Sequence, residues 1–263
     1  MHRCIVLLTM LGCVAAAQAQ TSADAEKDAL HLPPFIKPLP QDAPKPTSDP
    51  RDLRGTWMQL HEKSEQLKTP EGTPPPYTIE AAKQQNARVE ATRRGNPLIN
   101  QVALCRPPGF IWDLGISYFP LRILQDDRKI TVLFDRFHAV WRIALHSTQA
   151  SKAEPGYMGH SVGHWEGDTL VVDTTGLRDG LWLDESGSFI SGAARITSRI
   201  TKNAQRGELA ILHLIDDPKT YTKPWTTRQR IQWRPDYPML AEHDCEETAG
   251  SIEEAKQYGY RPE

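Results

Sequence analysis

Missing from this chain is any apolar run long enough to cross a bilayer as a helix, which takes ~20 residues. The longest, Cys4 to Ala17, falls short, so no transmembrane segment is expected and the mature protein is expected to be soluble. An excess of one charge is missing too: 31 Lys and Arg face 33 Asp and Glu, a net charge of −2. Basic residues gather at Arg88, Arg93 and Arg94 and again at Arg228, Arg230 and Arg234, but acidic or alternating apolar residues accompany both groups. Solvated faces explain them, and no nucleic-acid partner is expected. Also lacking are Cys-x-x-Cys, His-x-His, internal repeats and βαβ alternation, which argues against zinc modules, repeat arrays and parallel α/β folds. Cysteine itself is scarce, with only four in the chain.

What is present begins with an export signal. Met1-His2-Arg3 places a positive charge ahead of the apolar run, and Ala17-Gln18-Ala19 supplies small residues at cleavage spacing. A signal peptide over residues 1–19 is expected, with Gln20 as the mature N-terminus and a periplasmic or secreted location; lipid attachment at Cys13 is the rival. Cleavage would remove Cys4 and Cys13. In an oxidising compartment the remaining pair, Cys105 and Cys245, is expected to form a disulfide across a long loop; two buried thiols are the alternative.

Residues 20–51 form a leader that is rich in proline, with seven of the 21 prolines lying between His31 and Pro50. Such a segment stays extended, although Phe35, Ile36 and Leu39 could pack on the domain as a clasp. One domain is expected over 52–250, followed by a tail over 251–263. Thr78 is a plausible N-cap for a helix near 79–94 with a narrow apolar stripe of Ile79, Ala82 and Val89. Beyond Cys105, short β-branched and aromatic runs alternate with Gly, Asp, Asn and Pro. That spacing predicts an all-β domain with one or two peripheral helices, an antiparallel sheet closed or nearly closed into a barrel.

Asp52-Leu53-Arg54-Gly55-Thr56-Trp57 resembles the opening of lipocalins and the wider calycin group, where a Gly-x-Trp starts the first strand and the Trp plugs one barrel end. The resemblance implies a calycin-like barrel. A broader one rests on CRPPG from Cys105, MGHSVGHWEGDTLVVDTTG from Met158, DDPKTYTKPW from Asp216 and AEHDCEE from Ala241. These segments look like an uncharacterised family of exported bacterial proteins, which implies the domain boundaries and supports pairing Cys105 with Cys245.

Gly159-His160-Ser161-Val162-Gly163 spells the nucleophile elbow of serine hydrolases, but an elbow requires a helix directly after it. Here a Gly167-Asp168 turn and another strand follow instead. Taken as a two-residue turn, that pair puts Glu166 opposite Thr169, His164 opposite Val171, Val162 opposite Asp173 and His160 opposite Thr175. One face then carries Ser161, Gly163, Trp165, Leu170 and Val172 as core. The other carries His160, His164, Glu166 and Asp173, with Asp173 diagonal to both histidines, an arrangement suited to general acid–base work or to a plain solvated sheet face. His138 could join from a neighbouring strand. His160 and His164 would stand ~13 Å apart on a strand, too far to share an ion, so no metal and no cofactor are expected.

Trp141 and the Tyr221-Thr222-Lys223-Pro224-Trp225 segment supply aromatics and a cation suited to a planar or anionic ligand, although Trp225 also fits an inward row with Ile231 and Trp233. The expectation is a barrel that binds a small apolar or aromatic molecule and catalyses proton transfer on it through the His160, Asp173, Glu166, His138 and His164 group. Pure ligand carriage, serine hydrolysis at Ser161 and an envelope interaction module are the alternatives.

Overall fold

A computed structural model describes residues 37–59, 67–94, 102, 105–115, 119–147 and 154–237. The elements are β1 (Gly55–Met58), α1 (Ile79–Arg93), α2 (Phe110–Gly115), β2 (Pro120–Gln125), β3 (Lys129–Phe134), a 3₁₀ turn (Arg136–His138), β4 (Val140–Leu145), β5 (His160–Glu166), β6 (Thr169–Thr175), β7 (Leu181–Trp182), β8 (Phe189–Ile190), β9 (Arg195–Asn203), β10 (Glu208–Asp216) and β11 (Trp225–Trp233). The longer strands close into a barrel in the order β1-β11-β10-β9-β6-β5-β4-β3-β2, while β7 and β8 form a separate small hairpin. The all-β barrel expected from the strand spacing is thus the observed fold. One pair departs from the antiparallel pattern: β4 and β5 run parallel, from Ile143 opposite Ser161 to Leu145 opposite Gly163. After β4 the chain therefore returns along the barrel to start β5 at the opposite end.

Alternation decides which residues line the interior. In β9, Ile196, Ser198 and Ile200 are buried while Arg195 and Arg199 are exposed. The β5–β6 hairpin turns at Gly167 and Asp168 with the expected register, Glu166 opposite Thr169 and His160 opposite Thr175. Gly167 adopts a φ of 58°, the left-handed conformation such a turn needs.

The helix α1 starts where its cap predicts, with the Thr78 hydroxyl accepting from the Ala81 amide at 3.2 Å. Its buried face is not the expected apolar stripe. Ile79 is 93% exposed and Val89 is exposed, whereas Ala81 and Gln85 are buried. The helix is held instead through polar and cationic side chains: Gln85 donates to the Ser186 carbonyl, and the Arg88 guanidinium lies 4.1 Å from the Phe189 ring centroid and 5.3 Å from that of Trp182.

The two ends of the barrel differ. At one, α2 enters the mouth: Phe110, Ile111, Trp112, Asp113 and Leu114 are all buried. At the other, the leader lies across the turns, where the Trp233 indole donates to the Pro44 carbonyl at 2.6 Å and Lys202 donates to the Asp52 carbonyl. Leu39, expected in a clasp, lines a cleft beside Trp233; Phe35 and Ile36 lie outside the described residues. Among the described residues, no helix is long and apolar enough to cross a membrane.

Candidate functional site

The interior is apolar at its core but carries a polar row across its wall. On β4, β5 and β6, the Trp141 indole donates to the Ser161 hydroxyl at 2.7 Å, and Ser161 in turn bonds Thr174 at 2.7 Å. On β9, β10 and β11, the Ser198 hydroxyl bonds His213 Nδ1 at 2.8 Å and His213 Nε2 bonds the Gln229 side-chain oxygen Oε1 at 2.9 Å. Gln229 then donates to the Ile111 carbonyl of α2 at 2.8 Å. Burial holds His213 neutral, with its pKa down to about 4, so Nε2 donates to Gln229 and Nδ1 accepts from Ser198. These bonds satisfy polar groups that would otherwise be costly inside a barrel, and they tie the wall to α2.

The lumen is filled partly from outside the wall. Phe110 of α2 stacks on Trp141, with ring centroids 4.4 Å apart and planes at 10°, and lies 6.1 Å from His213. The gap beside it, lined by Pro108, Tyr157, Leu177 and Leu181 among others, is only about 10 Å³, the space of roughly one water.

Asp113 is the chemically unusual group of this end. It is 6% exposed, and neither carboxyl oxygen has a hydrogen-bond partner; the indole N–H of its neighbour Trp112 is unpartnered as well. Burial drives the Asp113 pKa up to about 8, countered only in part by the Arg136 guanidinium. At neutral pH it is therefore a buried, protonated acid, a proton donor whose own environment disfavours its anion. Arg136 is half-buried between the rings of Phe119 and Phe137, at 5.3 and 5.1 Å from their centroids.

The expected catalytic face lies elsewhere. His160, His164, Glu166 and Asp173 occupy the outer row of the β5–β6 hairpin, because Ser161, Gly163, Leu170 and Val172 take the buried one. Asp173 sits diagonal to His160 as the register requires, but it accepts from Thr197 at 2.6 Å on the next strand. His160 rests over Gly176 and donates from Nε2 to the Glu154 carbonyl at 3.1 Å. Glu166 joins His164 at 3.2 Å and Arg199 at 2.8 Å in an exposed network, and Arg199 holds its carboxyl below the usual range. His138 is exposed on the 3₁₀ turn. None of the five lines the cleft beside Trp233 or the gap beside Phe110. Among the described residues, no group of three or more His, Cys, Asp or Glu side chains could hold a metal ion.

Of the expected ligand contacts, Trp141 faces the lumen. Tyr221 and Trp225 pack edge to face at 5.2 Å, with the Tyr221 hydroxyl donating to the Phe189 carbonyl at 2.7 Å, while Lys223 is exposed. Cys105 begins the approach to α2 in a left-handed conformation, φ 52°; Cys245 lies outside the described residues. Ser161 is a strand residue whose hydrogen bonds run to Trp141 and Thr174, not to an imidazole. Ser161→Ala is expected to cost about 1–3 kcal/mol, the range for leaving a buried donor such as the Trp141 N–H unpaired. Native protein should stay unlabelled by a fluorophosphonate; stoichiometric labelling at Ser161 in peptide mapping would reverse this assignment.

Sequence reasoning missed His213, Gln229, Asp113 and Phe110. Leu209, Ile211, His213 and Ile215 share one period-2 row, so the pattern did carry a signal for His213. Six residues are too few for periodicity to reveal α2. Compared with known proteins, the chain matches no protein-family profile and no curated protein.

Proposed function

We propose that this protein is an exported barrel that binds a small apolar or aromatic molecule in its lumen at the α2 end. The observation that carries the reading is Phe110: a ring brought in by a six-residue helix lies flat on Trp141 inside the wall. A barrel of this size needs more than its own inward side chains to fill it, and that a planar ring stacked on an indole fills this one supports a guest of the same shape. The adjoining gap is too small for a guest, so a ligand takes the place of Phe110 as α2 withdraws. Export with Gln20 at the mature N-terminus, membership of the exported family and a Cys105–Cys245 bridge belong to the same proposal. The bridge would tether the chain just before α2 and limit how far the helix can retreat.

Small molecules released from freshly purified protein and identified by mass spectrometry test the reading directly. A single aromatic or apolar species near equimolar amount is expected, and its loss in Trp141→Leu. The Phe110→Ala variant adds a second arm: it should lose about 3–5 kcal/mol, the usual cost of removing a buried ring, and regain part of its melting temperature when indole is added. A wild-type protein that releases nothing, together with a Phe110→Ala variant indifferent to indole, would end the proposal.

A second reading rests on Asp113. A buried acid three residues after Phe110 on the same short helix suits proton transfer of the isomerase or lyase kind, which would put that chemistry on α2 instead of the His160 face. Asp113→Asn would then keep the ligand while losing turnover; equal turnover in both proteins would leave carriage alone.

A further inference from the structure

Two neighbouring residues of α2 make directed contacts inside the barrel mouth. Phe110 lies flat on Trp141, and the carbonyl of Ile111 accepts from Gln229 Nε2 at 2.8 Å. The first contact asks only for a ring. The second asks for a hydrogen-bond acceptor at one place on the wall.

That second demand is fixed, because the Gln229 amide cannot turn over. Its Oε1 accepts from His213 Nε2 at 2.9 Å, and His213 Nδ1 is held in turn by the Ser198 hydroxyl at 2.8 Å. A flipped amide would set donor against donor at His213 and oxygen against oxygen at Ile111. Gly115, the last residue of α2, leaves room for the amide nitrogen: a Cβ there would collide with Gln229 Nε2. The wall therefore holds a buried donor, locked in orientation by two further side chains, whose acceptor is the backbone of the helix that fills the mouth.

Withdrawal of α2, on which the lumen reading depends, removes the ring and the acceptor together. A guest that replaced only the ring would leave the Gln229 N–H buried and unpaired, a costly state. We infer that the lumen takes an aromatic molecule that also carries a neutral carbonyl on a short linker, its ring replacing Phe110 on Trp141 and its carbonyl replacing that of Ile111 at Gln229 Nε2. Because Phe110 and Ile111 are adjacent, a few bonds between ring and carbonyl span the two positions. The Gln229 amide is uncharged and His213 beside it is neutral, which favours a ketone, ester or amide over a carboxylate, whose burial needs a charged partner. This inference rests on the lumen reading and narrows its ligand class.

Calorimetric titration of the exported chain with benzylacetone, an aryl ketone, and with butylbenzene, the same skeleton without the oxygen, tests it. The ketone should bind about tenfold or more tightly, although the hydrocarbon is the more apolar, because a site with a buried donor rejects a ligand that leaves it unpaired. Gln229→Met keeps an unbranched side chain and removes the donor, so there the preference for the ketone should fall about tenfold or more. Each preference is a ratio measured within one protein, so a loss of stability in the variant does not mimic the effect; should the variant fail to fold, the wild-type comparison decides alone. The inference is overturned if the hydrocarbon binds the wild type as well as the ketone does, or if Gln229→Met keeps the full preference. Equal binding of the two, with Phe110→Ala still regaining stability from indole, would remove the acceptor and leave the lumen reading standing. If neither compound binds, the inference falls, and the lumen reading falls with it when Phe110→Ala ignores indole.

Discussion

Gly55→Ala is expected to destabilise the fold by about 3 kcal/mol or more, combining overpacking with backbone strain at one position. Gly55 has a φ of 131°, and a Cβ placed there would lie 2.0 Å from Cζ3 and 2.4 Å from Cη2 of Trp233. The indole has little freedom to retreat. Its ring meets Trp57 edge to face at 5.1 Å, and its N–H is bonded to the Pro44 carbonyl at 2.6 Å. Urea unfolding of the wild type and Gly55→Ala measures the loss. In a Trp233→Leu background the same substitution should cost only the strain, about half as much, and this separates the two contributions. A Gly55→Ala protein within about 0.5 kcal/mol of the wild type would show that the ring does not press on the strand as described.

That packing gives the Gly-x-Trp opening a physical meaning. The glycine serves Trp233, a residue far along the chain that closes the barrel against β1, while Trp57 is fixed by its own indole bond to the Leu53 carbonyl at 3.0 Å. A motif of three positions pointed to a strand that opens a barrel without revealing which contact required the glycine. Other features were more legible. The Gly167-Asp168 turn and strict alternation determined every pairing of the β5–β6 hairpin, because a slip of one residue would have put Leu170 and Val172 into solvent. Thr78 announced α1 through its side chain alone.

The candidate site was harder to read because its polar residues do not look like a site in the sequence. His160, His164, Glu166 and Asp173 cluster within one hairpin and attract attention, yet alternation placed them together because they share its outer row, where His164 and Glu166 are exposed and His160 and Asp173 half-buried. The groups with perturbed chemistry are single polar residues in apolar surroundings: Asp113 inside FIWDLG and His213 inside ELAILHLI. What perturbs them is burial by segments distant in sequence. The parallel β4–β5 pairing was equally hidden, since its crossover carries no helix of the usual βαβ kind among the described residues.

Asp113→Asn is expected to change how the protein responds to pH. Folding raises the Asp113 pKa from 3.8 to about 8, so the native state keeps a proton that the unfolded chain releases. Stability from this group is fully present below about pH 4 and is lost as pH rises to about 8, by about 5 kcal/mol in all. His213 acts in the opposite sense. Its pKa falls from 6.5 to about 4, so its contribution is present above about pH 6.5 and is lost as pH falls to about 4, by about 3 kcal/mol. Between about pH 4 and 6.5 the two slopes cancel and the wild type should be nearly level, declining by about 2 kcal/mol from there to pH 8. Without the carboxyl, the His213 slope stands alone: Asp113→Asn should gain stability up to about pH 6.5 and hold it beyond. The amide also needs hydrogen bonds, a cost common to every pH, so the slopes and not the absolute stabilities carry the test. Urea unfolding of both proteins across this range would refute the assignment if the two curves ran parallel. A confirmed difference would mean that a neutral acid is maintained at pH 7 by the same burial that places α2 in the barrel mouth. Under the lumen-binding proposal, withdrawal of α2 would hydrate Asp113 and release its proton, so ligand binding would depend on pH.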